Sequence, residues 1–256
     1  MPDVHPLLRK LECFIALSQD ERSTVHHLPG LVRTVGIRQP LTSEGSSPIS
    51  ITLLLEGVGC RTKQLADGRR QVISFLFPGD LTESHAMAPR ALDHSSETLT
   101  ECRVMEIDRA TLLELMAQPA IGEALEVSAM VEEAITKEWL INVGRRASAE
   151  RVAHLLCECI TRLRAIGLAA GDRFPFPITQ RDIADCTCLS VVHVNRLLQD
   201  FRTAGLVTLQ DGELAIQDLE RLRRVGGFTE GYLEISSAPP PPRATRPGPQ
   251  GGVPLS

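Results

Sequence analysis

The polar side chains best spaced to bind a partner lie between Ile178 and Gln199. Val192, His193, Asn195, Arg196 and Gln199 would share one side of a helix begun at Ser190. Long donors near the start of a helix can meet base edges in a major groove. Arginine bonds guanine at two points, and asparagine does the same with adenine. Asn195 and Arg196 are therefore the candidate base or phosphate contacts. Thr179, Gln180 and Ser190, at two helix starts, are candidates to donate to phosphate oxygens.

The elements that must position these groups are legible nearby. Thr179, with Asp182 three residues on, reads as a helix N-cap, and Ile183 and Ala184 face inward. A turn follows at Thr187–Leu189. Ser190 caps a second helix whose Val194, Leu197, Leu198 and Phe201 pack back. Two short helices joined by a tight turn match a helix-turn-helix; the alternative is a solvated helical hairpin. Leu206–Leu209 and Glu213–Ile216, joined through Asp211-Gly212, make a hairpin that would be its wing. Asp218–Val225 reads as a last helix.

Covalent chemistry finds little support. The chain has no Gly-x-Ser-x-Gly, His-Glu-x-x-His or Gly-x-x-x-x-Gly-Lys motif. Glu83, His85 and His94 match the iron ligands of a jelly-roll metalloenzyme in residue type, but the close His-x-His pair of such sites is missing. We expect no enzyme activity and no metal site.

Upstream, His5–Leu28 reads as one or two short helices, with Ser18 and Glu21 forming a capping box. Short β segments follow: Ile49–Glu56, Val58–Leu65, Arg70–Phe77 and Leu99–Ile107. Ala66-Asp67-Gly68-Arg69 between the second and third of these predicts a hairpin, with positive φ at both Asp67 and Gly68. Strands at such spacing suggest an antiparallel barrel or roll. Asp108 caps a short helix, and Pro119 begins a long one running to about Val143. The apolar surface of that long helix is wide enough for two partners, its own domain and a second copy of itself; the alternative is a core helix of one larger domain. Gly144-Arg145-Arg146 is a candidate hinge, Ser148 caps the next amphipathic helix, and Gly167–Phe176 reads as a loop. The expected class is α+β: a β-roll sensor domain at 1–116, a dimerisation helix at 117–143, a winged helix-turn-helix at 144–235, and a disordered Pro/Gly-rich tail at 236–256.

Composition bounds the partners. No apolar run is long enough for a membrane span, and no secretory leader is visible, so no membrane partner is expected. Seven irregularly spaced cysteines do not form a disulfide framework, and a cytoplasmic location fits. The net charge of −5 argues against nucleic acid until it is divided. Residues 1–143 carry 13 basic and 20 acidic side chains, residues 144–228 carry 12 and 10, so only the second part is positive.

Three motifs then carry a resemblance: Leu53-Leu54-Leu55-Glu56-Gly57, Asp67-Gly68-Arg69-Arg70-Gln71-Val72 and Phe77-Pro78-Gly79-Asp80-Leu81. With Leu189-Ser190-Val191-Val192-His193-Val194-Asn195-Arg196, their order and spacing resemble the Crp/Fnr family, the cyclic-AMP receptor protein and its relatives. The resemblance runs from about His5 to Phe228. It implies a homodimer joined through the long helix, bound to two-fold symmetric double-stranded DNA and controlling transcription, with RNA polymerase as a partner if it activates. It places the two reading helices about 34 Å apart. A degenerate member that binds a protein instead of DNA is the alternative, favoured by the acidic balance and by apolar Val191-Val192.

The departures bear on the signal. Nucleotide-binding members carry Gly-Glu-Leu and, about ten residues on, an Arg-Ser/Thr pair that holds the cyclic phosphate. Here Gly79-Asp80-Leu81 and Ala91-Leu92-Asp93-His94 stand there, with Ile135 and Thr136 at the long-helix positions. A carboxylate at Asp93 would repel a phosphate, and Arg90 would have to shift to compensate. Gly79, Asp80, Leu81, Leu92, Asp93 and Thr136 remain the pocket candidates, for a ligand the sequence does not identify. An iron–sulfur cluster is disfavoured because only Cys13 is N-terminal while Cys60 and Cys102 are remote. Haem is disfavoured because His85 and His94 are isolated histidines. Cys186 and Cys188 lie in the helix-turn-helix turn, where relatives usually have glycine at the second position. A cysteine there is expected at positive φ and costs about 1 kcal/mol. The pair reads as small buried fillers, with a thiol switch as the alternative.

Overall fold

The computed structural model describes residues 4–83 and 91–235. The expected tail at 236–256, together with His85 and Arg90, lies outside the described residues. Helix α1 (Pro6–Glu12) opens on a proline whose missing N–H would have had no helical partner anyway. It buries Leu7, Leu8 and Leu11. Helix α2 (Gln19–His26) begins with the expected capping box between Ser18 and Glu21.

Seven strands follow: β1 (Leu31–Val35), β2 (Pro40–Thr42), β3 (Ser50–Glu56), β4 (Gly59–Gln64), β5 (Arg70–Leu76), β6 (Ser95–Thr98) and β7 (Cys102–Asp108). They form two antiparallel sheets, in the orders β1-β7-β3 and β2-β6-β4-β5, which make the roll. Leu54 meets Val35, Leu76, Cys102 and Val104 in one core cluster. Ile51, Leu53 and Leu55 belong to another, with α1, α2 and the helices after the roll. β3 is therefore covered on both faces, which is why it reads as a continuous apolar run.

Three details differ from expectation. The strand expected over Leu99–Ile107 begins only at Cys102, because the Leu99 and Thr100 N–H groups both donate to the Val58 carbonyl, and the separate strand β6 before it was not expected. The β4–β5 turn has positive φ at Gly68 but not at Asp67. Gly68 N–H donates to the Leu65 carbonyl and Leu65 N–H to the Arg69 carbonyl, so the loop is longer than a two-residue turn. The loop at Gly167–Phe176 contains a short strand, β8 (Arg173–Pro175).

Helix α3 (Arg109–Met116) is capped by Asp108, whose side chain accepts from the Thr111 N–H at 2.9 Å. Helix α4 (Pro119–Gly144) buries Ile121, Ala124, Val131, Ile135 and Trp139 at helical spacing against the rest of the chain. Its other side leaves Met130, Leu140 and Ile141 in solvent, exposed by 63, 71 and 45%. Helix α5 (Ser148–Ala165) is buried all round from Val152 to Leu163. Its N-cap is Ala147 rather than Ser148. The Ala147 N–H donates to the Glu150 carboxylate at 2.9 Å, which leaves the Ser148 hydroxyl for another partner.

Helices α6 (Gln180–Thr187) and α7 (Val191–Thr203) come next, followed by strands β9 (Val207–Gln210) and β10 (Glu213–Ile216) and helix α8 (Leu219–Gly226). β8, β10 and β9 form one antiparallel sheet in that order. The β9–β10 turn has positive φ at both Asp211 and Gly212, as that dipeptide predicts. α8 lies so close to α5 that a Cβ on Gly226 would meet the His154 backbone nitrogen at 2.6 Å. The α+β reading, a roll followed by a long helix and a winged helix-turn-helix, holds.

Candidate nucleic-acid interface

α6 and α7 owe their angle to four local features. The Thr179 hydroxyl and Asp182 form a reciprocal capping box at the start of α6. Ser190 accepts from the His193 N–H at 3.2 Å at the start of α7. Cys188 ends α6 in the left-handed conformation, at φ 55°. Val194, Leu197, Leu198 and Phe201 bury one side of α7, and Ile183 and Ala184 bury the facing side of α6.

The opposite side of α7 is open. Val192 is 80% exposed, and Asn195, Arg196 and Gln199 are exposed with it. Asn195 donates to the Gln180 side chain at 3.1 Å, so the two helices share a polar bridge on their outer surface. Arg196 lies 3.3 Å from His193 Nδ1. His193 is only half-exposed, because its Nε2 meets the Ser148 hydroxyl at 3.0 Å. Thr179 corrects the expectation. Its hydroxyl donates to Asp182 at 2.6 Å and its N–H to the same carboxylate at 3.1 Å, leaving no proton for a phosphate. Ser190 accepts through its oxygen, and among the described residues its hydroxyl proton has no acceptor, so it can donate outward.

The residues expected to line a pocket in the roll are dispersed. The Asp80 carboxylate is buried between Lys10 at 2.8 Å and Arg162 at 3.0 Å, so it joins α1 and α5 to the roll. Burial works to raise the Asp80 carboxyl, but Lys10 and Arg162 outweigh it and hold it below the usual range. Gly79, at φ 96°, packs against α1, where a Cβ would meet the Pro6 carbonyl at 2.6 Å. Leu81 offers its carbonyl to Arg61 at 2.7 Å. Leu92 is buried and its N–H donates to the Ser46 carbonyl at 2.8 Å. Asp93 is exposed and lies 2.8 Å from His94 Nδ1. Thr136 stands on the exposed side of α4 and donates to the Glu132 carbonyl at 2.9 Å. Buried Arg61 pairs with Glu132 of α4 at 2.8 Å and also donates to the Thr82 carbonyl at 2.9 Å, tying the long helix to the roll. Glu83 and His94 come within 3.9 Å, while His85 falls outside the described residues.

Sequence reasoning missed the polar seam between the halves. Arg162 reaches Asp80 and the Phe75 carbonyl, at 3.0 and 2.9 Å, and lies over the Phe77 ring. Beside it, Glu158 accepts from Trp139 at 3.0 Å and Tyr232 at 2.8 Å. Burial pushes the Glu158 carboxyl up despite Arg162 and these bonds. A second contact holds α6 itself. Arg38 grips Asp182 with two bonds of 2.8 Å, and Arg70 reaches Asp185 at 2.8 Å and pairs with Glu97. Gln71 donates to the Cys186 carbonyl at 3.2 Å and accepts from Cys188 Sγ at 3.1 Å. Cys186 is buried, but Cys188 is exposed and so is no buried filler. The available signal was the pair Glu158 and Arg162, charged at i and i+4 within the mostly apolar stretch Val152–Leu163.

A β-roll joined by a long helix to a winged helix-turn-helix with an open polar face defines a DNA-binding transcription regulator. Residues 150–225 match the Crp-like helix-turn-helix domain, and residues 32–119 match the cyclic nucleotide-binding domain. The nitrogen fixation regulation protein FixK of Bradyrhizobium diazoefficiens is 28% identical over 185 residues, 70% of this chain and 75% of the relative. The transcriptional activator protein FnrL of Cereibacter sphaeroides is 25% identical over 191 residues, 72% of this chain and 76% of the relative. The solved structure of FixK2 from Bradyrhizobium japonicum superimposes with a TM-score of 0.68 at 23% identity, covering 77% of this chain and 98% of that one. The chain thus carries both domains of a Crp/Fnr-type transcription regulator, and the relatives it matches regulate transcription.

Proposed function

We propose that this chain acts in the cytoplasm as a homodimer that reads a two-fold symmetric DNA site through α7. The observation that carries this reading is the solvent-facing position of Asn195 and Arg196 on a helix that α6 braces and the β9–β10 wing flanks. In this arrangement Asn195 and Arg196 bond base edges, and Val192 packs against a thymine methyl. Gln180 and Ser190 hold phosphate oxygens near the starts of α6 and α7. His193 is the weaker contact, because Ser148 already holds its ring. The exposed Met130, Leu140 and Ile141 support pairing through α4. RNA polymerase is a further partner wherever the bound site calls for activation.

Movement about Gly144 would re-space the two reading helices. Such movement has to break the Arg38–Asp182, Arg70–Asp185 and Arg162–Asp80 pairs, so a signal must bind one arrangement better than the other by enough to offset the net cost of losing them. The test is a gel shift on the chain's own promoter region at two salt concentrations. Specific affinity should fall steeply as salt rises. Arg196→Ala should lower it by about 1–3 kcal/mol. Unchanged affinity in that variant would show that α7 reads DNA with a different face, or not at all.

A further inference from the structure

A mainly apolar recess lies outside the interior of the roll, where α1, the roll and the DNA-binding half meet. Its volume is about 560 Å³, within the range of sites for small organic molecules. Phe77 and Val32 line it from the roll, and Ile166, Leu168 and Phe176 from the DNA-binding half. Val32 and Leu168 are large apolar side chains left 45 and 40% exposed.

The polar groups of this recess gather at α1. Both ring nitrogens of His5 are shielded from water, and among the described residues neither has a hydrogen-bond partner. Unmet buried groups of this kind cost free energy and call for a partner. Burial, with His26 nearby, lowers the His5 pKa, so the ring is neutral and offers one N–H donor. Arg9, one turn along α1, also lines the recess and is half-buried. Among the described residues its guanidinium makes no hydrogen bond or ion pair. The other charges at the recess are already matched, since Arg103 pairs with Glu56 at 2.8 Å. The recess thus combines an apolar body with one unmatched cation and one unmatched N–H donor.

We propose that this recess binds a small molecule with an apolar body and a single carboxylate, its head held by Arg9 and His5 and its body between Phe77 and Ile166. A guanidinium holds a carboxylate through two parallel bonds, which an alcohol cannot match. Both halves of the chain form the walls, so the ligand stabilises their present arrangement. The site stands apart from the DNA-binding reading, because it is measured without DNA.

The test is equilibrium dialysis of labelled decanoate with the full chain, competed by unlabelled decanoate, naphthoate or decanol. Decanoate should bind saturably at one equivalent per chain. Decanol should compete at least tenfold more weakly than decanoate. Naphthoate competing as well as decanoate selects a rigid aromatic body, and failing to compete selects a flexible chain; either result supports the site. Arg9→Ala should erase the preference of acid over alcohol, a loss of roughly ten- to a hundredfold in decanoate affinity. Arg9→Lys should keep most of it. Leu168→Trp should weaken every ligand by narrowing the mouth. Each variant should unfold at the wild-type midpoint. No saturable binding to the wild-type chain, or an unchanged acid preference in Arg9→Ala, overturns the proposal.

Discussion

Cys188 holds a backbone conformation that favours glycine, at φ 55° in the turn between α6 and α7. A side chain there carries strain of about 1 kcal/mol. Its thiol bond to Gln71, at 3.1 Å on an exposed sulfur, returns little of that. Cys188→Gly should therefore raise stability by about 1 kcal/mol, read as a higher urea midpoint at unchanged slope. A lower midpoint would mean that the Gln71 contact outweighs the strain. At this scale the sequence is informative wherever the partner is close along the chain. Ser18, Asp108, Thr179 and Ser190 announce themselves as caps because the N–H they accept lies three residues on. Asp80 does not announce Arg162, because 82 residues separate them. Its place beside Gly79 suggests a pocket, whereas its carboxylate faces a seam between domains.

Among the elements, α5 bears the most. It is buried on every side, so its polar residues must find partners inside. His154 does so where α5 meets α8: its Nδ1 lies 3.2 Å from the Gly226 carbonyl, and its ring stacks on Tyr232. Burial, and then Arg146, push the His154 pKa down to about 4, against the Gly226 bond and Glu138. The unfolded chain takes up this proton near pH 6.5, well before the folded chain does. The contribution is therefore complete above about pH 6.5, is lost as pH falls toward 4, and changes no further below that. Its ceiling is about 3 kcal/mol. Thermal midpoints between pH 7 and 5 should fall more steeply for the wild type than for His154→Gln, and equal slopes would clear His154 of the effect. Helices α4, α5, α6 and α7 were legible because their apolar positions repeat at helical spacing. β1, β2, β6 and β8 were not separately legible, and β6 is four polar residues with no apolar pattern to mark it. β2 and β8 span three residues each, and β1 leaves Leu31 and Val32 in solvent, so none shows the alternation that marks a half-buried strand.

For the whole molecule, the apolar surplus of α4 is the feature the single chain leaves unused. Ile121, Val131, Ile135 and Trp139 face inward and account for one side of the helix. Among the described residues nothing covers the outer parts of Met130, Leu140 and Ile141, and a helix with two apolar sides gains stability in water when the second is covered. That surplus was legible in the sequence. The charge-rich contacts that hold α6 to the roll were not, because Arg38 and Arg70 read as ordinary surface residues until Asp182 and Asp185 are seen beside them. If two copies pair along α4, both α7 helices face the same duplex, and each chain gains from the other's contacts through high local concentration. Leu140→Asp combined with Ile141→Asp should then give a monomer by sedimentation velocity, because burying two carboxylates in an apolar seam is costly. Affinity for a two-fold symmetric site should drop by more than tenfold, while the circular dichroism of the helices stays the same. A doubly substituted chain that still sediments as a dimer would move the subunit contact to another face.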